Sequence, residues 1–406
     1  MLRLCMVVLM ALGLLTAQGC ILDLSILTTG AGGAGAGSSS GTSSGGGGSS
    51  SSNNPTAVTS ATGGGGGGDG GGGGTSCAPG AECGFCEDTC TAETCEPKAL
   101  VIGASGNSYA SPSLWIEGDT LYWLDFYNQH VMRMLPSGET ETVTPKDLLN
   151  SAITFVVHGD KLYWSDFTSG INSCPLDNCT VDLKKRMVAN DNNQAEALQL
   201  LADDTHLYWY TGPDHYARPV RRCPLNAADA TPEQIATNQD LIRGMALTDK
   251  HVYWTARPNN QGGLVRRTTK DGGSQVTDYT TKLEMAWALT LDSTHLYLTS
   301  GAEQNSGLKR CAIGEPACGS LEDVLSGLGS LKRTRSVAMG GGRVYVTNES
   351  SGTVIGRAKD GTGIEELVAD GQTRPHSMVA TKHCVYWRDD TDNGTIWTRR
   401  HQPPAP

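Results

Sequence analysis

The chain has 406 residues, of which 31 are lysine or arginine and 42 are aspartate or glutamate, so its net charge at neutral pH is −11. An acidic chain without a basic cluster is a poor candidate for a dedicated nucleic-acid-binding protein, because such a protein needs clustered cations to displace phosphate counterions. Its thirteen cysteines, ten of them beyond residue 80, disfavour the reducing cytosol and indicate an exported protein.

The first 20 residues predict an export signal (1–19) followed by a lipid anchor. Arg3 precedes an apolar stretch from Leu4 to Leu15, which is too short to cross a ~30 Å hydrocarbon core as a helix. The ending Ala17-Gln18-Gly19-Cys20 resembles a bacterial lipobox, which implies cleavage before Cys20 and a diacylglycerol on its thiol. Residue 21 is Ile, not the Asp associated with inner-membrane retention, so we expect the outer membrane. The alternative is plain secretion with Cys20 as an ordinary thiol.

Two segments without a hydrophobic core come next. Residues 30–76 hold 21 of the 52 glycines and only one charged residue, Asp69, so the sequence predicts a disordered Gly/Ser-rich tether over 20–76. Residues 77–97 form a cysteine-rich segment, which predicts a small disulfide knot because so short a segment cannot bury a core. Its cysteines are Cys77, Cys83, Cys86, Cys90 and Cys95. A zinc site that uses Cys83 and Cys86 is the alternative.

From residue 98 to residue 402 one pattern recurs seven times. Each copy centres on a short hydrophobic strand that contains Tyr and, in five copies, Trp directly after it. The tyrosines are Tyr122, Tyr163, Tyr208, Tyr253, Tyr297, Tyr345 and Tyr386, at spacings of 41, 45, 45, 44, 48 and 41 residues. A period of roughly 40–45 residues with aromatic and β-branched strands is typical of four-stranded propeller blades. The sequence therefore predicts an all-β domain, a seven-bladed β-propeller.

The turns and the two ends of the repeat region complete this prediction. The third strand of a blade should end at a glycine-containing hairpin, as at Pro136–Gly138, Lys270–Gly272 and Lys359–Gly361, where glycine supplies the positive φ. The last copy stops after its third strand, which ends near Thr398. The unpaired apolar run Ala99–Ile102 should fill the missing outer position and close the ring.

The repeats resemble the Tyr-Trp-Thr-Asp propellers of the low-density-lipoprotein-receptor type over residues 99–402. The resemblance implies a propeller fold, although that family closes six blades and this chain has seven copies. The motif's aspartate is kept only at Asp125, Asp166 and Asp389, so we do not transfer the family's partners. We interpret the Tyr and Trp residues as packing between sheets, since aromatic side chains carry much of core burial.

The sequence contains no nucleophile elbow, no phosphate loop and no His-Glu-x-x-His motif. His206, His251 and His295 share one repeat position in three consecutive copies, which raises the possibility of zinc. Sevenfold rotation would separate equivalent atoms by about 9 Å, whereas ligands of one metal ion must lie within ~4 Å of each other. We therefore expect no metal site there, and we expect no cofactor.

The residues that open each innermost strand should surround the axial channel. In chain order they are Pro112, Ile153, Leu198, Arg243, Trp287, Arg335 and His376. This ring contains no carboxylate, which disfavours a metal-assisted hydrolase and indicates a protein that is not an enzyme. The cations Arg243, Arg335 and His376 beside Trp287 predict a ligand-binding site, because such groups hold a carboxylate or phosphate or stack a sugar or peptide ring.

An ordinary solvated surface is the alternative interpretation of the same ring. Two more arginines, Arg333 and Arg374, lie next to it in the sequence, but Asp240, Glu284 and Asp370 occupy the same loops. Acidic neighbours of this kind would neutralise the arginines in surface ion pairs, which seldom have a function.

The remaining cysteines can be assigned from their positions in the repeat. Two local disulfides are predicted across hairpins, Cys174 with Cys179 and Cys311 with Cys318. Cys384 lies in the first turn of the last blade, on the face opposite the axial ring, where the chain from the knot would arrive. We therefore expect Cys384 to pair with a knot cysteine and Cys223 to remain a free thiol.

These observations predict a monomeric, surface-tethered, non-catalytic binding or scaffolding lipoprotein. It would contact the membrane through its lipid anchor and a protein or glycan ligand through the propeller. The alternative is a cell-envelope lyase or hydrolase that acts on a small polar substrate.

Overall fold

The repeated Tyr-Trp segment forms the second strand of each blade in a computed structural model. The structure describes residues 96–401, apart from 105–113, 146, 150, 190–196, 212–217, 259–261, 274, 282, 302–306, 327–333 and 391–393. The expectations for the signal peptide, Cys20, the tether and the knot cysteines therefore lie outside the described residues, as do Pro112 and Arg333. Among the described residues, no helix has the length and apolar character needed to cross a membrane.

Short alternating segments form strands throughout the described part of the chain. In chain order they are β1 (Lys98–Ile102), β2 (Leu114–Glu117), β3 (Thr120–Asp125), β4 (His130–Met134), β5 (Thr140–Thr142), β6 (Ala152–His158), β7 (Lys161–Asp166), β8 (Gly170–Pro175), β9 (Lys185–Val188), β10 (Ala197–Ala202), β11 (His206–Thr211), β12 (Arg218–Pro224), β13 (Glu233–Gln239), β14 (Met245–Leu247), β15 (His251–Ala256), β16 (Leu264–Thr269), β17 (Thr277–Asp278), β18 (Ala286–Leu291), β19 (His295–Ser300), β20 (Gly307–Ala312), β21 (Glu322–Leu325), β22 (Val337–Gly340), β23 (Arg343–Asn348), β24 (Thr353–Ala358), β25 (Glu366–Ala369), β26 (Pro375–Ala380), β27 (Cys384–Asp389) and β28 (Thr395–Arg400).

These strands form seven four-stranded antiparallel sheets, and the prediction of a seven-bladed all-β propeller is confirmed. Blades one to six each use four consecutive strands, from β2–β5 to β22–β25. Blade seven has the order β26-β27-β28-β1, because β1 pairs antiparallel with β28. This outer position is the one that the sequence analysis assigns to Ala99–Ile102.

In the five blades that contain it, the Tyr-Trp pair packs the sheet against both neighbouring blades, because consecutive strand residues point to opposite faces of a sheet. Tyr208 of blade three shares a core cluster with Trp254 of blade four, whereas the adjacent Trp209 lies in the cluster with Trp164 of blade two. These side chains expose 1% of their surface or less. The prediction that the aromatic residues pack between sheets is therefore confirmed.

The predicted hairpin glycines and local disulfides are also found. Gly138, Gly272 and Gly361 have φ angles of 86°, 70° and 78°, a conformation that other residues adopt only with strain. Disulfides join Cys174 to Cys179 and Cys311 to Cys318, with Cα–Cα distances of 5.2 and 5.8 Å.

The other two described cysteines differ in their bonding state. Cys223 is a free, buried thiol. Cys384 is disulfide-bonded, and its partner lies outside the described residues.

Candidate functional site

The sequence-predicted ring residues lie where the innermost strands begin, which we call the axial end of the propeller. Ile153, Trp287 and His376 are the second residues of β6, β18 and β26, and Arg243 and Arg335 lie two residues before β14 and β22. Because strands alternate in direction within a blade, the second strands finish at this same end. The loops that follow the second strands therefore also face the axial end.

Trp287 is the centre of the predicted site, and two arginines lie over its indole. The guanidinium carbon of Arg243 is 4.9 Å from the indole ring centroid, and that of Arg335 is 5.2 Å away. Cations at this distance are attracted by the negative face of the ring. We call these three residues the axial site; they come from blades four, five and six.

Threonine hydroxyls at the end of the Tyr-Trp strand hold these residues in place. The hydroxyl of Thr255 accepts hydrogen bonds from the backbone N–H groups of Arg243 (3.1 Å) and Gly244 (3.0 Å). It donates to the carbonyl oxygen of Trp287 at 3.3 Å. The Thr255 side chain thus fixes the backbone at Arg243 in blade four and at Trp287 in blade five. Thr299 repeats this pattern between blades five and six. No role for these threonines was predicted from the sequence.

Arg243 is the cation that is available to a ligand. It is exposed and forms no ion pair with any other described residue. Partial burial of its guanidinium lowers the pKa of Arg243 from its ordinary value, and the like charges of Arg218, Arg335 and Arg257 act in the same direction. An arginine remains charged at neutral pH despite such a shift. An anion that bound here would relieve the repulsion among four arginines.

Glu349 is a carboxylate at this end that the sequence analysis did not identify. It follows β23, and its Oε2 lies 2.8 Å from Nε of Arg335 while its Oε1 lies 3.5 Å from Nε of Arg374. It therefore neutralises part of the charge of the axial site. The three acidic residues proposed for this role, Asp240, Glu284 and Asp370, form no ion pair among the described residues. Arg335 is thus neutralised by an acidic neighbour, as the alternative interpretation expects, but that neighbour is Glu349 and not one of these three residues.

His376 and Asp390 form a buried polar group on the blade-seven side of the axial end. Only 5% of the His376 surface is exposed, and its Nδ1 has no hydrogen-bond partner among the described residues. Burial lowers the pKa of His376 from its ordinary value, so the imidazole is neutral at pH 7 and is not the cation expected from the sequence. The buried carboxylate of Asp390 lies 3.3 Å from Nε of Arg388, without the alignment of a hydrogen bond.

Both carboxylates come from the loops that follow second strands, whereas the sequence analysis considered only the residues that open first strands. The position of Asp390 could have been predicted from the sequence, since Asp390 directly follows the motif residue Asp389. The prediction of an axial end without carboxylates is therefore incomplete. The end combines cations, an indole, a neutral histidine and two acids.

The motif aspartates have a local structural role at this end. Asp166 accepts a hydrogen bond from the backbone N–H of Thr168 at 3.0 Å. Asp389 accepts the N–H groups of Thr373 at 3.0 Å and Arg374 at 2.7 Å. These carboxylates order the loops at the axial end.

The three repeated histidines are turn residues at the opposite end. His206, His251 and His295 are the first residues of β11, β15 and β19. Nδ1 of His206 and of His295 lies 2.9 Å from the hydroxyl of the preceding threonine. Among the described residues, no group of three or more His, Cys, Asp or Glu side chains is arranged to hold a metal ion.

Comparisons with known proteins show the fold and no family. No protein-family model and no curated protein matches the chain. A virginiamycin B lyase from Staphylococcus aureus is similar at a TM-score of 0.56 and 9% identity, over 76% of this chain and 99% of the lyase. A streptogramin B lyase is similar at a TM-score of 0.55 and 12% identity, over 75% of this chain and 97% of that chain.

A Mycobacterium tuberculosis puromycin-hydrolyzing peptidase is similar at a TM-score of 0.52 and 13% identity, over 77% of this chain. The match spans 57% of the peptidase. At these identities the likeness extends to the fold alone: the chain is a seven-bladed β-propeller.

Proposed function

We propose that this chain is a non-catalytic binding protein of the bacterial cell envelope that holds an anionic group at the axial site. The observation that carries the proposal is Arg243, an exposed arginine without an acidic partner among the described residues, placed over Trp287 on a protein of net charge −11. A second guanidinium, Arg335, lies over the same indole. Paired guanidinium groups bind carboxylates and phosphates through charge-assisted hydrogen bonds.

The test is the binding of two probes, inorganic phosphate and galacturonate, measured by calorimetry on the full chain. Charge-assisted hydrogen bonds contribute roughly 1.5–3 kcal/mol. The affinity for either probe should therefore fall by about tenfold or more in Arg243→Gln. Arg186→Gln is the matched control, because Arg186 is a solvent-exposed arginine on β9, the outer strand of blade two. Unchanged affinity in a folded Arg243→Gln variant would place the site elsewhere.

We propose further that the protein is exported and anchored through a lipid on Cys20, with the outer membrane as its destination. The lipobox-like sequence and the disulfides of the propeller support this location. Replacing Cys20 by Ser should move the protein from the membrane fraction to the soluble fraction. Retention of the variant in membranes after a high-salt wash would contradict the anchor.

The resemblance to the Tyr-Trp-Thr-Asp repeats remains a proposal about the repeat unit. It is supported by the buried Tyr-Trp pairs and by the aspartates that order the following loops. We do not extend it to partners.

An envelope lyase or hydrolase is the second candidate function. It is favoured by the neutral, buried His376 near Asp390 and Glu349, because a histidine beside carboxylates can transfer protons. The propeller lyases and the peptidase show that similar folds include enzymes. A stoichiometric divalent ion in the purified protein would favour this candidate over the binding protein.

A further inference from the structure

Two large aromatic side chains are exposed at the axial end, on blades one and two. Strands β3 and β7 finish there at Asp125 and Asp166. Directly beyond these residues, Tyr127 exposes 73% of its surface and Phe167 exposes 48%. Aromatic rings normally contribute to stability by being buried, so rings exposed at the same end of two neighbouring blades are candidates for ligand contact.

The backbone that presents Tyr127 is held by hydrogen bonds. The carboxylate of Asp125 accepts the backbone N–H of Asn128 at 3.3 Å and its side-chain amide at 2.8 Å. The side-chain oxygen of Gln129 accepts the backbone N–H of Ala152 at 2.7 Å, which ties this loop to blade two. A ring on an ordered loop loses little entropy when it binds a ligand.

The loop that carries Phe167 is ordered in the same way. The N–H of Phe167 donates to the carbonyl oxygen of Ser151 at 3.3 Å. The carboxylate of Asp166 accepts hydrogen bonds from the backbone N–H of Thr168 at 3.0 Å and from its hydroxyl at 3.1 Å. Both rings are thus presented by loops that the motif aspartates fix.

The exposed residue after each ring is polar, Asn128 after Tyr127 and Thr168 after Phe167. The apolar neighbour of Tyr127 is the half-buried ring of Phe126, which lies edge-on to it with centroids 6.0 Å apart. A protein-binding hot spot is usually surrounded by further apolar contacts that exclude water. A flat ring flanked by amide and hydroxyl groups suits a sugar, which offers an apolar C–H face and hydroxyl groups at its edge.

The cations on the far side of the channel define the charge of such a ligand. Arg243 and Arg335 lie on blades four and six, across the axial end from blades one and two. We propose that the axial end binds an acidic polysaccharide, a polyuronate, with carboxylates on the axial site and sugar rings stacked on Tyr127 and Phe167. This proposal rests on the proposed anion binding and specifies its ligand class.

The test is the dependence of affinity on chain length, measured by calorimetry on the full chain with galacturonate and its trimer and hexamer. The hexamer should bind at least about tenfold more tightly than the monomer, since a ligand that engages both sides gains the second contact within the same complex. Neutral maltohexaose should bind at least about tenfold more weakly than the acidic hexamer. Hexaglutamate binding more tightly than the acidic hexasaccharide would overturn the proposal in favour of a peptide ligand.

Two sets of variants separate the contacts. Tyr127→Ala with Phe167→Ala should abolish most of the gain with length, whereas Arg243→Gln should weaken the binding of the monomer, the trimer and the hexamer alike. The matched control is Val181→Ala with Leu183→Ala, which also removes exposed apolar side chains but between β8 and β9, at the opposite end. If the monomer binds through Arg243 but the longer chains bind no more tightly, the inference of a polyuronate ligand is wrong, whereas the proposed anion binding stands. Failure of every anion to bind would overturn the proposed function as well.

Discussion

The imidazole of His401 is buried between blades six and seven. It stacks on Tyr345 with ring centroids 5.3 Å apart, and its Nδ1 lies 2.7 Å from the tyrosine hydroxyl. Its Nε2 lies 2.7 Å from the carbonyl oxygen of Thr381 in blade seven. A neutral ring satisfies both contacts, with Nε2 as donor and Nδ1 as acceptor. Burial lowers the pKa of His401 to about 4.

Protonation of His401 should therefore destabilise the fold in acid. A histidine with an ordinary pKa of about 6.5 when unfolded binds a proton more readily in the unfolded chain, so its contribution is complete above pH 6.5 and is lost as the pH falls towards 4. Between pH 7.5 and pH 5 the free energy of unfolding should fall by about 2 kcal/mol more in the wild type than in His401→Gln. Denaturant titrations at both pH values measure this difference.

The control for this prediction is His295→Gln, because His295 lies on a partly exposed turn. That variant should keep the wild-type loss of stability in acid. An equal pH dependence in the wild type and in His401→Gln would show that His401 does not contribute to it.

Single axial residues could be predicted only in part. The places of Arg243, Trp287 and Arg335 followed from the repeat, because one position in each blade must open the innermost strand. Glu349 and Asp390 belong to loops that are held by side-chain hydrogen bonds to Asn348 and Asp389. His376 was expected to be a cation, but its burial makes it neutral.

Among the strands, the arginines of the third strands connect successive blades. Nη1 of Arg310 in blade five donates to the carbonyl oxygen of Lys359 in blade six at 2.8 Å. Nη2 of Arg267 in blade four donates to the carbonyl oxygen of Pro316 in blade five at 2.9 Å, and Nη1 bonds Glu315 at 2.8 Å. These contacts hold the outer hairpins in register at the end opposite the axial site.

Arg267→Met should lower the free energy of unfolding by about 1–2 kcal/mol, because it removes hydrogen bonds from a buried guanidinium. Its guanidinium carbon also lies 4.4 Å from the ring centroid of Tyr279. The exposure of Glu315 keeps the expected loss below that of a fully buried pair. Urea unfolding of the two proteins measures the loss.

The matched control is Arg186→Met, which removes an ion pair to Asp229 in which both side chains are about half exposed. This change should cost less than about 0.5 kcal/mol, as is usual for surface pairs. Equal losses in the two variants would argue against a special role of the blade-connecting arginines.

The blade itself was predictable because its Tyr-Trp strand must bury large rings on both faces. This requirement recurs every 41–48 residues, so the repeat is recognisable in the sequence although the loops differ in length. The hydrogen bonds that connect blades involve carbonyl groups such as that of Pro316, which have no signature in the sequence.

At the scale of the whole molecule, blade seven joins the two ends of the propeller. Strand β1 is parallel to β27, because both are antiparallel to β28. The chain that precedes Lys98 therefore arrives at the end where Cys384 begins β27. Arg399 of blade seven and Glu366 of blade six form a buried ion pair at 2.6 Å. On the other flank, Nη1 of Arg388 donates to the carbonyl oxygen of Leu124 in blade one at 3.1 Å, so blade seven is attached to both of its neighbours.

We predict that Cys384 is joined to a cysteine of the segment 77–95, and that this bridge fixes the start of the propeller at its closing blade. Peptide mapping without reduction should recover Cys384 linked to that segment. Burial raises the pKa of the Cys223 thiol to about 12, so iodoacetamide should label Cys223 only after unfolding. A bridge between Cys384 and Cys223, or a free Cys384, would contradict the assignment.

The most direct test of the central claim, anion binding at the axial site, is a crystal structure of the protein with galacturonate. We expect the carboxylate of the sugar to lie within hydrogen-bond distance of the guanidinium of Arg243, beside the indole of Trp287, with the sugar intact. A sugar bound only at the blade edges or at the opposite end of the channel would contradict the claim.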